Sequence, residues 1–447
     1  MSTMRGKTHI LVVVQNLPVP LDRRVWLECQ ALIAAGYDVS VICPKGPGDP
    51  SRQTIDGIEI FKYKPAPQAE GLSGYAVEFA YSWVRTALLS LAVWRRRPFQ
   101  VLQACNPPDT YWLLARLWRP RGVRFVFDQH DLNPELFLSR FGKPSTLKQR
   151  LELAALLWLE RMTYRAADRV ISTNESYRAI AIERGHHEPG HVTVVRSGPD
   201  TRVMRPVYPV NGTPRTGLSL VYLGIMGPQD GVDTILEVMR DLVHERGRTD
   251  VHATLLGFGD CLEDLRRASV EMGLTDHVTF TGRADKAMIA DHLSRADVGL
   301  CPDLKTPLND VSTMNKTMEY MAYALPSVSF DLVETRVSGG DTVLYVPSGD
   351  VAAFTDAVVR LLDDPDLRAD LALAARRRVA DELDWRPQAR SYVGVFDSLT
   401  GHPRALLDDG DLTAAPAENG TRQYVDLDDE AELRRFVLER TARVPLS

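Results

Sequence analysis

The run HILVVV at 9–14 is a nearly continuous apolar, β-branched stretch with no polar alternation. A strand of that kind is buried on both faces, so it belongs in a parallel sheet covered by helices on each side. It stops at Gln15-Asn16-Leu17-Pro18, and a helix over 23–35 follows, which Gly36 can end before a second strand at 38–43. Further strands are predicted at 58–63, 100–103, 124–127, 169–174 and 192–196. From there to Arg215 the chain is rich in Pro, Gly, Thr and Asn, the composition of a linker. The alternation then starts afresh at 218–223, with strands at 254–256, 278–280 and 298–301. Two α/β series in 447 residues suit two domains of about 200 residues each better than one core.

A net charge of −6 excludes a dedicated nucleic-acid binder, which needs a strongly basic face. The five cysteines, Cys29, Cys43, Cys105, Cys261 and Cys301, have no C-x-x-C spacing, which argues for buried thiols and against zinc or a disulfide scaffold. The apolar run at the start is too short for a signal-peptide core or a spanning helix, so a cytoplasmic protein is expected. Two helices, over 75–97 and 143–165, are rich in Leu and Trp and carry basic residues. Each suits either the core or an anionic membrane interface, with Trp83 and Trp94 at headgroup depth and Arg95, Arg96 and Arg97 on the lipid.

The polar residues that carry chemistry fall at strand ends. His130 follows the strand at 124–127 inside Asp128-Gln129-His130-Asp131, an imidazole between carboxylates where such sheets bind ligands. The loop Gly224-Ile225-Met226-Gly227-Pro228-Gln229-Asp230-Gly231 follows the strand at 218–223, and its glycines permit either close approach to a phosphate or merely a tight turn. In the stretch 309–331, a helix over about 314–323, capped by Ser312 or Thr313, places Met314, Met318, Met321 and Ala322 on one face. Lys316, Glu319 and Tyr320 share the other. Lys316 near the helix start suits a diphosphate and Glu319 suits sugar hydroxyls, though a solvated Lys–Glu pair has the same pattern.

The segment N-K-x-x-E-Y-M-A followed by L-P-S-V resembles the nucleotide-sugar helix of GT4-type retaining glycosyltransferases, and the resemblance runs from about His9 to Leu399. It implies a GT-B fold: two Rossmann-like domains facing a central cleft. It also implies an N-terminal acceptor domain at 1–200, a linker at 201–216, a nucleotide-sugar domain at 217–385 and a helix at 386–400 crossing back. An acidic tail at 401–447, partly mobile, with one helix at 430–443, completes the chain. The implied catalytic residues are His130, Lys316 and Glu319. The implied donor site is Gly227, Gln229, Asp230, Arg283, Asn315, Lys316 and Glu319. No D-x-D-type metal site is evident, and neither metal nor cofactor is implied beyond a nucleoside-diphosphate sugar as co-substrate. The expected reaction moves a hexosyl or N-acetylhexosaminyl group to a glycan or lipid-linked acceptor in cell-surface polysaccharide synthesis. The expected location is cytoplasmic, peripheral to the inner face of the plasma membrane.

The sequence departs from the family at four places. Leu21-Asp22-Arg23-Arg24 replaces a Gly-Gly in the first loop, so Arg23 or Arg24 is a candidate guanidinium for phosphate. Ile225 and Asp230 stand where an Arg and a Lys usually bind diphosphate, and Val311, beside Asp310, replaces the first Glu of an E-x7-E pattern. These departures keep two rivals in play: a nucleotide-sugar epimerase and a non-catalytic binding subunit.

Overall fold

The computed structural model describes residues 7–66, 71–208, 217–401, 424–427 and 429–441, leaving out the side chains of 71–76 and 441. These residues divide into two compact units, 7–197 with 386–401 and 198–385 with 424–441. The last part of the tail expectation, at 402–423 and 442–447, lies outside the described residues.

In the first unit the order is β1 (His9–Val13), α1 (Arg23–Ala34), β2 (Asp38–Pro44), β3 (Arg52–Ile55), β4 (Ile58–Tyr63), α2 (Gly71–Arg96) and β5 (Val101–Cys105). There follow α3 (Trp112–Trp118), β6 (Arg124–Gln129), α4 (Asn133–Phe141), α5 (Leu147–Ala166), β7 (Arg169–Ser172), α6 (Glu175–Glu183) and β8 (Val192–Val194). The sheet order is β3-β4-β2-β1-β5-β6-β7-β8, parallel except for β3. All five residues of β1 are buried, as expected of a strand with parallel neighbours on both sides. β3 is an edge strand that the apolar pattern does not announce. Its hairpin turns at Asp56-Gly57, where both residues take positive φ, 50° and 81°, the turn that Asp-Gly favours.

The second unit runs β9 (Leu218–Ile225), α7 (Val232–Arg240), β10 (Val251–Phe258), α8 (Leu262–Glu271), β11 (Val278–Gly282), α9 (Lys286–Arg295) and β12 (Val298–Cys301). It continues with α10 (Asn315–Ala322), β13 (Ser327–Phe330), α11 (Val333–Gly339), β14 (Val343–Val346), α12 (Val351–Asp363) and α13 (Pro365–Glu382). Its sheet is wholly parallel in the order β11-β10-β9-β12-β13-β14. Helix α14 (Trp385–Thr400) passes into the first unit, where the Tyr37 hydroxyl donates to Asp397 at 2.6 Å. Helix α15 (Glu430–Thr441) buries Leu433, Phe436 and Val437 in a cluster with Ala369 and Ala372 of α13, so the tail has a packed element at its end.

Each sheet reverses its winding once. Strand order turns back between β1 and β5 in the first and between β9 and β12 in the second. Loops at the carboxyl ends of those strands diverge to opposite faces and leave a crevice, which is where a ligand has room.

Candidate active site

In the first unit the residues after β5 and β6 meet at such a point. The Asn106 side-chain oxygen accepts the backbone N–H groups of His130 at 2.7 Å and Asp131 at 3.1 Å. Its amide nitrogen donates to Asp131 O at 2.7 Å and to Asp109 at 3.0 Å, so one side chain holds the whole His130 loop. Asp109 also accepts from Asn133 at 2.5 Å, and burial pushes its carboxyl up to about 6.

The imidazole of His130 is held from below. Its Nε2 lies 2.8 Å from Asp128 Oδ2, and the side chain is 16% exposed. Burial works against its charged form, but the Asp128 carboxylate outweighs that and pushes His130 up to about 9. Burial likewise works against the Asp128 charge, and the His130 and Arg24 cations overcome it and hold that carboxyl below the usual range. At neutral pH His130 is therefore an imidazolium donating Nε2–H to Asp128. Its Nδ1–H is left as the donor for a ligand.

Arg24 does not serve a phosphate here. Its Nη1 donates to Val195 O at 2.8 Å and Ser197 Oγ at 3.0 Å, its Nη2 to Asp128 at 3.1 Å, and its Nε sits 3.0 Å from Glu28 and 3.2 Å from His130. Glu28, Cys105, Asp128 and His130 bring ligand-type atoms within 4.8 Å of one another, but the guanidinium already fills the place a cation would take. The cluster is an internal ion network with Arg24 at its centre.

In the second unit the crevice between β9 and β12 holds Lys316. Helix α10 begins at Asn315, one residue later than the sequence suggests, and Met314 is its N-cap with no side chain closing the helix start. The N-cap is thus Met314 rather than Ser312 or Thr313, and a helix start of this kind is where an anion can be received. The expected two-faced helix is also corrected: every residue from Lys316 to Ala322 is buried. Tyr320 belongs to the core, where its hydroxyl donates to Leu300 O at 3.2 Å and accepts Leu223 N–H at 2.9 Å, tying α10 to β9 and β12. Glu319 is 8% exposed, one turn beyond Asn315, which itself is exposed.

Lys316 Nζ lies 2.5 Å from Asp303 Oδ1, just past the end of β12, and 5.2 Å over the Tyr222 ring. Burial disfavours its charge, but the carboxylate of Asp303 raises it well above an ordinary lysine. A side chain at Gly224 would meet Lys316 Cε at 3.0 Å and the Tyr222 hydroxyl at 2.8 Å, so only glycine lets this loop lie against the ammonium.

The other predicted donor residues form part of the same loop system. Gly227 N–H donates to Asp230 at 2.8 Å, folding the loop over a 3₁₀ turn at Pro228–Asp230, and Asn309 Nδ2 donates to Gln229 O at 2.8 Å. Asp230 thus acts within its own turn. Arg283, at the end of β11, stacks over the Phe258 ring at 4.0 Å, which leaves a flat cationic platform at the end of β10. Asp310 accepts Val333 N–H at 3.0 Å and pairs with Lys305 at 3.2 Å, so its carboxylate closes the start of α11.

Sequence reasoning missed Asp303, Asn106, Glu28 and Gln103. The signal for the first two was their place immediately after an apolar strand. Nothing local marks Gln103, whose partners Glu28, Asp128 and Tyr392 lie far away in the chain, whereas Glu28 stands one helical turn after Arg24, a spacing the sequence shows.

Two doubly wound parallel sheets, one with a buried ammonium and glycine-lined strand ends, define a nucleotide-binding α/β enzyme. Residues 21–198 match the glycosyl transferase 4-like domain, and residues 217–364 match the glycosyl transferases group 1 family. The chain belongs to the group 1, or GT4, family of retaining glycosyltransferases that use nucleotide sugars, and it is a hexosyltransferase of GT-B fold. It is 28% identical over 301 residues to the alpha-D-kanosaminyltransferase of Streptomyces kanamyceticus, covering 64% of this chain and 73% of that one. It is 31% identical over 191 residues to the phosphatidyl-myo-inositol mannosyltransferase of Mycobacterium leprae, covering 42% and 48%. The fold is similar to sucrose-phosphate synthase from Thermosynechococcus elongatus, with a TM-score of 0.71 at 18% identity over 89% of this chain and 100% of that one. The family assignment sets aside the epimerase and the non-catalytic subunit.

Proposed function

We propose that the chain transfers a hexosyl or N-acetylhexosaminyl group to a lipid-linked glycan acceptor in cell-surface polysaccharide synthesis, working on an anionic membrane surface. Lys316, the open start of α10 and Glu319 bind the donor, the cation and N–H groups on diphosphate and the carboxylate on hydroxyls. Cations and helix N–H groups stabilise the leaving diphosphate without a metal. His130, an imidazolium on the other unit, offers Nδ1–H to a sugar hydroxyl or to developing charge during transfer.

The observation that carries the choice of acceptor is the outer face of α2, α3 and α5. Rings of Trp94 and Trp118 at 4.8 Å, and of Trp112 and Trp158 at 5.8 Å, seat α3 between the two longer helices. Across this face Val84, Leu88, Leu117, Leu147, Leu151 and Trp158 are all at least half exposed. Lys148, Arg150, Arg161 and Arg165 are exposed beside them on α5, and Arg95 and Arg96 end α2. Apolar side chains rimmed by cations are complementary to an anionic bilayer interface. Trp83 and Trp94 are both corrected: they are partly buried against the core of the first unit, Trp94 on Phe99 and Trp118, and Trp158 takes the interfacial place. No described helix is long and apolar enough to cross a membrane. The phosphatidyl-myo-inositol acceptor named for the mycobacterial relative fits this reading.

Sedimentation with phosphatidylglycerol vesicles tests it. The protein should pellet with them, and Leu151→Ser with Trp158→Ser should leave it in the supernatant. Equal recovery of wild type with and without vesicles would overturn the membrane reading.

A further inference from the structure

The support behind His130 extends through three more side chains than the ion pair with Asp128 requires. Gln103 on β5 is fully buried, and its amide nitrogen donates to Asp128 Oδ2 at 2.9 Å and to Glu28 Oε2 at 3.0 Å. The amide oxygen accepts the Tyr392 hydroxyl of α14 at 2.6 Å. The Asp128 carboxylate can only accept, which fixes the amide end facing it as nitrogen, and Tyr392 donates to the oxygen at the other end and holds the amide in that orientation. Glu28, one turn along α1 from Arg24, closes the ring by facing the guanidinium at 3.0 Å. All these residues lie in the first unit.

We propose that Glu28 is a positioning residue for the transfer step: braced by Gln103 and Tyr392, it locks Arg24 and Asp128 into the arrangement that presents His130. The inference rests on the reading of His130 given above. Glu28 reaches no ligand itself, since it has no exposed surface.

The same geometry gives the brace a protonation state. Burial, and next the Asp128 carboxylate beside it, push Glu28 up to about 8, against the pull of Arg24 and His130. The other titratable groups facing it are Cys29, Cys105 and Tyr392, all raised by burial and so neutral. At neutral pH Arg24 and His130 are cations, Asp128 an anion and Glu28 uncharged, so the cluster keeps one net positive charge. Protonated Glu28 donates to Asp128, and ionising it removes that net charge and replaces the hydrogen bond with a repulsion between two carboxylates.

The test compares wild type, Glu28→Gln, Glu28→Ala, Tyr392→Phe and His130→Ala in steady-state transfer against pH, with melting temperature and nucleoside-diphosphate affinity recorded for each. Glu28→Gln should keep neutral-pH turnover within about threefold, because a neutral amide replaces a neutral acid, and should shift the alkaline limb from near pH 8 toward pH 9. Glu28→Ala should lose about tenfold or more in kcat with an unchanged KM for the donor. Tyr392→Phe should move kcat in the same direction by less. An alkaline limb unmoved in Glu28→Gln, or Glu28→Ala losing kcat only in proportion to its unfolded fraction, would overturn the positioning role while leaving His130 in place. Wild-type turnover in His130→Ala would instead remove the reading on which it rests.

Discussion

The Lys316 ammonium sits 2.5 Å from the Asp303 carboxylate with both side chains at most 8% exposed, one from the start of α10 and one from the end of β12. A pair this deeply buried recovers the cost of desolvation only while both partners are present. Asp303 Oδ2 has no hydrogen-bond partner, so the pair is held by one oxygen and leaves the ammonium able to turn toward a phosphate. Lys316→Met should therefore cost about 3–5 kcal/mol of stability by stranding the carboxylate. Adding Asp303→Asn should return most of that stability and none of the donor affinity. Thermal melts with and without nucleoside diphosphate for the two single variants and the double variant decide this. A double variant that regains ligand-dependent stabilisation would show that Lys316 is only structural.

Glu319→Gln separates charge from shape. The substitution keeps the volume of a side chain that is 8% exposed, so the fold should hold. Losing a charged acceptor for sugar hydroxyls should weaken nucleotide-sugar binding by about 1.5–3 kcal/mol. Affinity for the bare nucleoside diphosphate should fall by less if the carboxylate meets the transferred sugar, and equally if it meets the ribose. Calorimetry with both ligands distinguishes these, and unchanged affinity for both would take Glu319 out of the site.

Asn106 is the test of whether the loop backbone matters. Asn106→Ala leaves the N–H groups of His130 and Asp131 without their acceptor, at about 1–3 kcal/mol for each that stays buried. Turnover should fall with a smaller change in donor KM, because His130 is displaced while the second unit is untouched. A melting temperature lowered with normal specific activity of the folded fraction would make Asn106 a stabilising residue alone.

The architecture was legible because parallel strands buried on both faces leave apolar runs in the sequence, as at 9–14 and 218–223. Strand β3 escaped because its burial alternates between exposed and intermediate, although Asp56-Gly57 marked its turn. His130 and Lys316 were visible from their place at a strand end and a helix start. What surrounds them was not, because Arg24 with Asp128, Gln103 with Tyr392 and Lys316 with Asp303 are paired by topology across 13 to 289 positions of sequence. The burial of α10 from Lys316 to Ala322 was hidden for the same reason. A polar stripe reads as a solvated face until the sheet edge that receives it is known.

The pairing of His130 with Asp128 makes both stability and turnover depend on pH. The folded value of His130 near 9 stands above the ordinary 6.5, so the ion pair with Asp128 contributes stability that is fully present below 6.5 and lost as pH rises through 9. On the acid side Asp128 is held low, so its contribution is present above the usual carboxylate range and disappears as pH falls through its depressed value. The difference in melting temperature between wild type and His130→Ala should accordingly be larger at pH 6 than at about pH 9.5. Turnover should show no inflection at 6.5 in wild type, since the imidazolium persists beyond it. Removing the side chain should lower turnover by about a hundredfold, the range of a lost transition-state donor. Nucleoside-diphosphate affinity should hardly change, because Lys316 and Glu319 lie on the other unit. A wild-type profile that breaks near 6.5 would mean that neutral His130 is the active form, accepting the Arg24 N–H instead of donating to Asp128.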